Sequence, residues 1–176
     1  MHRRFTSFVA HVLAACVPVL GLAVAVGAGP ASAARGPWAT VNVCDTASNP
    51  DTIGIRGSMP AQITTRPPAS ELFMRFQVQY QRSDGSWRFL SAGSDSGFID
   101  IGRARGRGAR QAGHSFVVTP PRAGNVYTLR GLVTFDWRAK DGTVVRRLRK
   151  RTTAGHRSTA GADPAGFSAA DCTITA

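Results

Sequence analysis

Two stretches of this chain alternate with period two along their whole length, and they constrain its fold more than anything else in it. From Glu71 to Arg82, Leu72, Met74, Phe76, Val78 and Tyr80 fall on one side, with Arg75, Gln77, Gln79 and Gln81 on the other. From Val126 to Arg138, Tyr127, Leu129, Gly131, Val133, Phe135 and Trp137 share one side. Successive side chains of an extended chain point to opposite faces. Each stretch therefore reads as a half-buried antiparallel strand. A helix would scatter the same residues around its axis.

The rest of the chain fits around these two strands. Shorter strands are expected at Trp38–Cys44, Thr52–Met59, Phe98–Ile101, His114–Thr119, Thr143–Arg151 and Asp171–Thr175. Asn49-Pro50-Asp51 is turn chemistry, and Pro67-Pro68 makes Thr65–Ser70 a loop, because proline cannot donate to a ladder. Gly102–Arg110 reads as a basic, glycine-rich, mobile loop, and Ala154–Ala170 as irregular chain. No window shows the helical period. Asp84-Gly85 and Asp141-Gly142 favour tight hairpins. Two-residue loops would set Tyr80 opposite Phe89 and Arg82 opposite Trp87 on matching faces. They would also set Phe135 opposite Leu148, and Asp136 opposite Arg147 on the solvent face. A salt bridge there would contribute under about 1 kcal/mol.

The first 34 residues read as a signal peptide. Arg3 and Arg4 give a charged start, an apolar run extends from Val12 to Ala28, and Ala31-Ser32-Ala33 supplies the small residues a signal peptidase needs. Cleavage after Ala33, with Ala34 as the alternative, leaves Ala34 or Arg35 as the mature N-terminus and one domain over 35–176. Leu13-Ala14-Ala15-Cys16 has the form of a lipobox, but the apolar run continues well past Cys16, where a lipobox normally closes it. Export implies a secreted or cell-envelope protein in an oxidising compartment. There Cys44 and Cys172, the two cysteines left after the leader, are expected to form a structural disulfide. The closed loop of about 128 residues would contribute roughly 4–5 kcal/mol. No Cys-x-x-Cys is present to suggest a redox or metal pair.

Basic residues outnumber acidic ones 22 to 10. Arginine makes up nearly all of the excess, as a GC-rich genome would favour. Loss of Arg3 and Arg4 leaves a mature charge of about +10. Such a charge favours anionic surfaces.

The strand count, the turns between strands and the lack of helix suggest a β-sandwich. Val78 to Trp87 resembles the C–C′ hairpin of fibronectin type III and related immunoglobulin-like domains. Ala123 to Arg130 resembles their E–F corner leading into strand F. The resemblance implies an all-β, immunoglobulin-like antiparallel sandwich of seven or eight strands. It also implies that the Tyr127 hydroxyl bonds back to upstream backbone. The chain departs from antibody domains in having no cysteine pair between sheet centres. As a whole it is similar to small secreted proteins of high-GC Gram-positive bacteria, which implies location and not activity. Domains of this architecture are mostly binding or spacer modules.

No catalytic residues are expected. His114 and His156 are the only histidines after the leader, Glu71 is the sole glutamate, and no nucleophile elbow, zinc-protease motif or phosphate loop is present. No metal site or cofactor is expected either, because Asp45, Asp51, Asp95 and Asp100 read as isolated turn and capping residues. The remaining functional signal is basic. It comprises Arg103, Arg105, Arg107 and Arg110, and the segment Arg146, Arg147, Arg149, Lys150, Arg151 and Arg157. On a strand, Arg147, Arg149 and Arg151 form a stripe at about 6.6–6.8 Å spacing. Removing all three should cost little stability if they are solvated. The expected function is a non-enzymatic binding or structural module. The alternative is a binder of anionic polymer or membrane surface through these arginines. Cell-wall polymer, membrane or another envelope protein are the candidate partners, nucleic acid is disfavoured by export, and a monomer is expected. A solvated edge strand whose charge blocks aggregation explains the same arginines equally simply.

Overall fold

The computed structural model describes residues 36–61, 63–91, 93–105, 108–156 and 159–176. The stretch expected to be a signal peptide (1–34), with Cys16, and also Arg107 and Arg157, lie outside them. The described chain is an all-β sandwich of two antiparallel sheets. Its strands are β1 (Trp38–Thr46), β2 (Asn49–Pro60), β3 (Glu71–Gln81), β4 (Trp87–Phe89), β5 (Asp95–Arg103), β6 (Ala109–Val117), β7 (Val126–Arg138), β8 (Val144–Arg151) and β9 (Asp171–Thr175). One sheet has the order β1-β2-β6, the other β4-β3-β7-β8. The two strongly alternating strands, β3 and β7, pair with each other at the centre of the larger sheet. The order agrees with an immunoglobulin-like sandwich.

Nine strands form, against an expectation of seven or eight, because each edge of the larger sheet is made by two strands end to end. On one side β5 pairs with Glu71–Gln77 of β3 and β4 with Gln79–Gln81. On the other, β9 pairs with Val126–Arg130 of β7 and β8 with Leu132–Arg138. The basic loop is shorter than expected: Gly102 and Arg103 belong to β5, and Ala109 and Arg110 to β6.

Leu72, Met74, Phe76 and Val78 of β3 meet Leu129, Val133, Phe135 and Trp137 of β7, and Val41, Ile53, Ile55 and Met59 of the smaller sheet close over them. The indole of Trp137 donates to the Pro60 carbonyl at 3.0 Å, so its one polar atom is satisfied inside the core. Cys44 and Cys172 are joined, with Cα atoms 5.3 Å apart, and tie β1 of one sheet to β9 of the other.

The two hairpins correct the expected turn geometry. Both loops hold three residues. In the first, Gly85 donates to Arg82 and Arg82 to Ser86, with Gly85 at φ 77°, and Gln79 lies opposite Phe89. The one-residue change moves Phe89 to the outer face, where it is 52% exposed. In the second, Gly142 donates to Ala139 and Ala139 to Thr143, but a bulge at Val145 restores the register. Phe135 therefore does meet Leu148, and Asp136 meets Arg147. Tyr127 is also not in its expected role. It is 38% exposed, and no hydrogen bond ties its hydroxyl to the described upstream backbone.

Candidate functional site

The basic residues lie on the outer face and one end of the larger sheet. Leu148 of β8 faces the core opposite Phe135, which turns Arg147, Arg149 and Arg151 outward. They stand beside Asp136, Thr134 and Leu132 of β7 respectively. The three arginines are nevertheless not equivalent.

Asp136 is fully buried on a face expected to be wet. Arg147 grips it with two bonds of 2.6 Å, Nε to Oδ1 and Nη2 to Oδ2, and Arg138 adds a third at 3.3 Å. Phe73 and Phe98 complete the cover. The Arg138 guanidinium lies 4.0 Å from the Phe73 ring centre and 4.9 Å from that of Phe98, and Arg147 lies 5.4 Å from Phe98. Hydrogen bonding to Asp136 pushes the Arg147 pKa up. Arg147 is thus the clamp on a buried carboxylate, a structural position.

The same face uses up two more arginines. Arg75 forks onto Asp95, and this contact holds the Asp95 carboxyl below its ordinary pKa. Arg130 bonds to Gln79 at 2.9 Å and lies 3.9 Å above the Trp87 ring. Its pKa is lowered by burial first and then by the nearby charge of Arg151. Arg149 and Arg151 are exposed, and neither takes a carboxylate among the described residues.

The second group gathers at the end of the sheet. Arg103 closes β5 opposite Glu71, and Glu71 stands opposite Arg138, itself paired with Val144 at the start of β8. Three strand spacings, about 14 Å, separate Arg103 from β8. Arg103, Arg105 and Lys140 line a cleft of about 490 Å³ together with Ser70 and Glu71. Arg110 reaches over from β6 of the other sheet and donates to the Arg103 carbonyl at 3.3 Å. The structure therefore unites Arg103, Arg105 and Arg110 at one end and runs the β8 stripe away from that end. Lys140 joins this group from the β7–β8 turn, where sequence reading saw only turn chemistry. Arg75, Arg130 and Arg138 also escaped that reading. Their only signal was the outward position in the alternation of β3 and β7.

His114 and His156 sit on separate elements, and each ring meets an aromatic partner. His114 packs 4.6 Å from Phe116, and His156 stacks 4.3 Å from Trp38. Among the described residues no three His, Cys, Asp or Glu side chains converge. No helix among the described residues is long and apolar enough to cross a membrane.

No family model, curated protein or solved structure matches this chain.

Proposed function

We propose that this protein is an exported, non-enzymatic binding module of the cell envelope, and that its ligand is an anionic polymer laid along β8 towards the Arg103–Lys140 cleft. One observation carries the reading. Among the described residues, Arg149 and Arg151 project from the same side of one strand with no carboxylate beside them, while Arg75 is paired with Asp95, and Arg138 and Arg147 share Asp136. Arg75, Arg130, Arg138 and Arg147 are engaged in contacts within the sheet, and Arg149 and Arg151 are left pointing at solvent. Their spacing of about 6.6–6.8 Å suits successive charges on a polymer. The cleft adds Arg103, Arg105 and Lys140 against the single carboxylate of Glu71. The signal-like leader and the disulfide support a place outside the cytoplasmic membrane. The edge position of β8 supports the rival reading, in which the charge only blocks strand addition.

The test is retention of the mature protein on purified anionic wall polymer, on anionic liposomes and on neutral liposomes. Retention by wall polymer alone supports the polymer. Retention by anionic liposomes as well points to the membrane surface as the partner. No retention on any of them returns the arginines to edge protection and the domain to a structural role.

A further inference from the structure

The opposite side of the sandwich holds a charge that no carboxylate among the described residues neutralises. Arg56 is central in the smaller sheet, opposite Thr40 of β1 and Gly113 of β6. Its Nε is sealed from solvent and makes no hydrogen bond. No carboxylate of the described residues pairs with it. A long cationic side chain normally escapes this state by swinging its head into water. Two glycines show why this one does not. A Cβ added at Gly113 would stand 3.0 Å from Nε and 3.1 Å from Cζ, and one at Gly161 would stand 2.7 Å from Nη2. The guanidinium lies against both backbones.

Gly161 belongs to the strap that follows β8 and crosses the outer face of this sheet. The strap is fastened on both sides of Arg56. Asn42 Nδ2 donates to the Gly161 carbonyl at 2.7 Å, and the Ala160 amide donates to Gln111 Oε1 at 3.3 Å. Further along, Thr40 and Ser168 share a 2.7 Å hydroxyl bond. Arg56 is half-buried, so an ion can still approach it. With Nε sealed, the two Nη groups are the ones an ion can reach, and a guanidinium held in one orientation, short of a counter-charge, can bind an oxyanion end-on through that pair. Fixing it beforehand removes the ordering cost of binding.

We propose that Arg56, bedded between Gly113 and Gly161, anchors a discrete site for one carboxylate or phosphate group. The site is independent of the β8 arginines, which stand on the other sheet. The strap limits it to a single anionic group, either a small free ion or one projecting from a larger molecule.

The wild-type mature protein is titrated with sodium phosphate and with sodium acetate at constant ionic strength, following the arginine Nε–Hε signals by NMR. The Arg56 signal should shift and saturate, and chloride should not reproduce the shift. Read in every variant on the backbone amide signals of Gly113 and Gly161, which lie against the guanidinium, the response should vanish in Arg56→Gln, weaken at least tenfold in Arg56→Lys, which keeps charge but loses the fork, and persist in R149Q/R151Q. Short polyphosphate and polyglutamate chains separate the two sources. Saturation by chain and free ion alike identifies a group carried on a larger molecule, and saturation by free ion alone identifies a small anion. A shift in the wild type that is linear, or matched by chloride, overturns the site without recourse to any variant.

Discussion

Arg147 and Arg149 are two positions apart on one strand and both look solvated, yet only one of them holds the structure together. Arg147 neutralises a carboxylate that is 0% exposed, although its own side chain is 45% exposed. The expectation that the whole stripe is dispensable for stability therefore fails at this residue. Arg147→Gln should lower unfolding free energy by about 2–3 kcal/mol, less than the loss of a sole partner because Arg138 stays on Asp136. Arg149→Gln and Arg151→Gln should each stay within about 0.5 kcal/mol of the wild type. Urea unfolding measures all three, and equal losses at 147 and 149 would contradict the assignment. His156 gives a second residue-scale prediction. Burial holds its imidazole below the ordinary histidine pKa. The unfolded chain, titrating near 6.5, thus takes up the proton first. The contribution of this group to stability is complete above that value and shrinks as pH falls through it towards the folded-state pKa. An NMR titration of His156 with a midpoint above about 6.5 would contradict this.

The long elements were legible because β3 and β7 repeat their pattern many times, and each repeat votes for the same face. The turns were not, because a single dipeptide decides them. Asp84-Gly85 and Asp141-Gly142 look like the same two-residue signal, and both build three-residue loops. Only the bulge at Val145 returns the second hairpin to the register expected for it, and no side chain there advertises a bulge. The buried state of Asp136 was illegible for a related reason. Its cover comes from Phe73 on β3, Phe98 on β5 and Arg138 on its own strand, and Phe98 reaches it only through the pairing of β5 with β3. The stripe itself was legible, since Leu148 fixed the parity of β8. Close approach of the two sheets supplies a test at this scale. A Cβ at Gly131 would come within 2.7 Å of Thr152 Cγ2 and 2.8 Å of Ile55 Cγ2. Gly131→Ala should cost about 1–3 kcal/mol through overpacking. A thermal midpoint equal to the wild type would show that the sheets give way there.

At the scale of the molecule, one covalent tie and one charge pattern decide how the sandwich behaves. The Cys44–Cys172 bond spans a sequence separation of 128 residues. Its loss in a C44S/C172S variant should lower stability by about 4–5 kcal/mol if it acts through chain entropy. An unchanged urea midpoint would refute that role. The proposed function rests instead on Arg149 and Arg151, which pair with no carboxylate among the described residues. Each arginine that contacts an anionic polymer displaces roughly one counterion, so affinity falls with salt in proportion to the number of contacts. The most direct test is the slope of log affinity for anionic wall polymer against log salt concentration, for the wild type and for R149Q/R151Q. The account predicts a steep negative slope that becomes shallower by about two in the variant. A flat wild-type slope, or the same slope in both proteins, would contradict it.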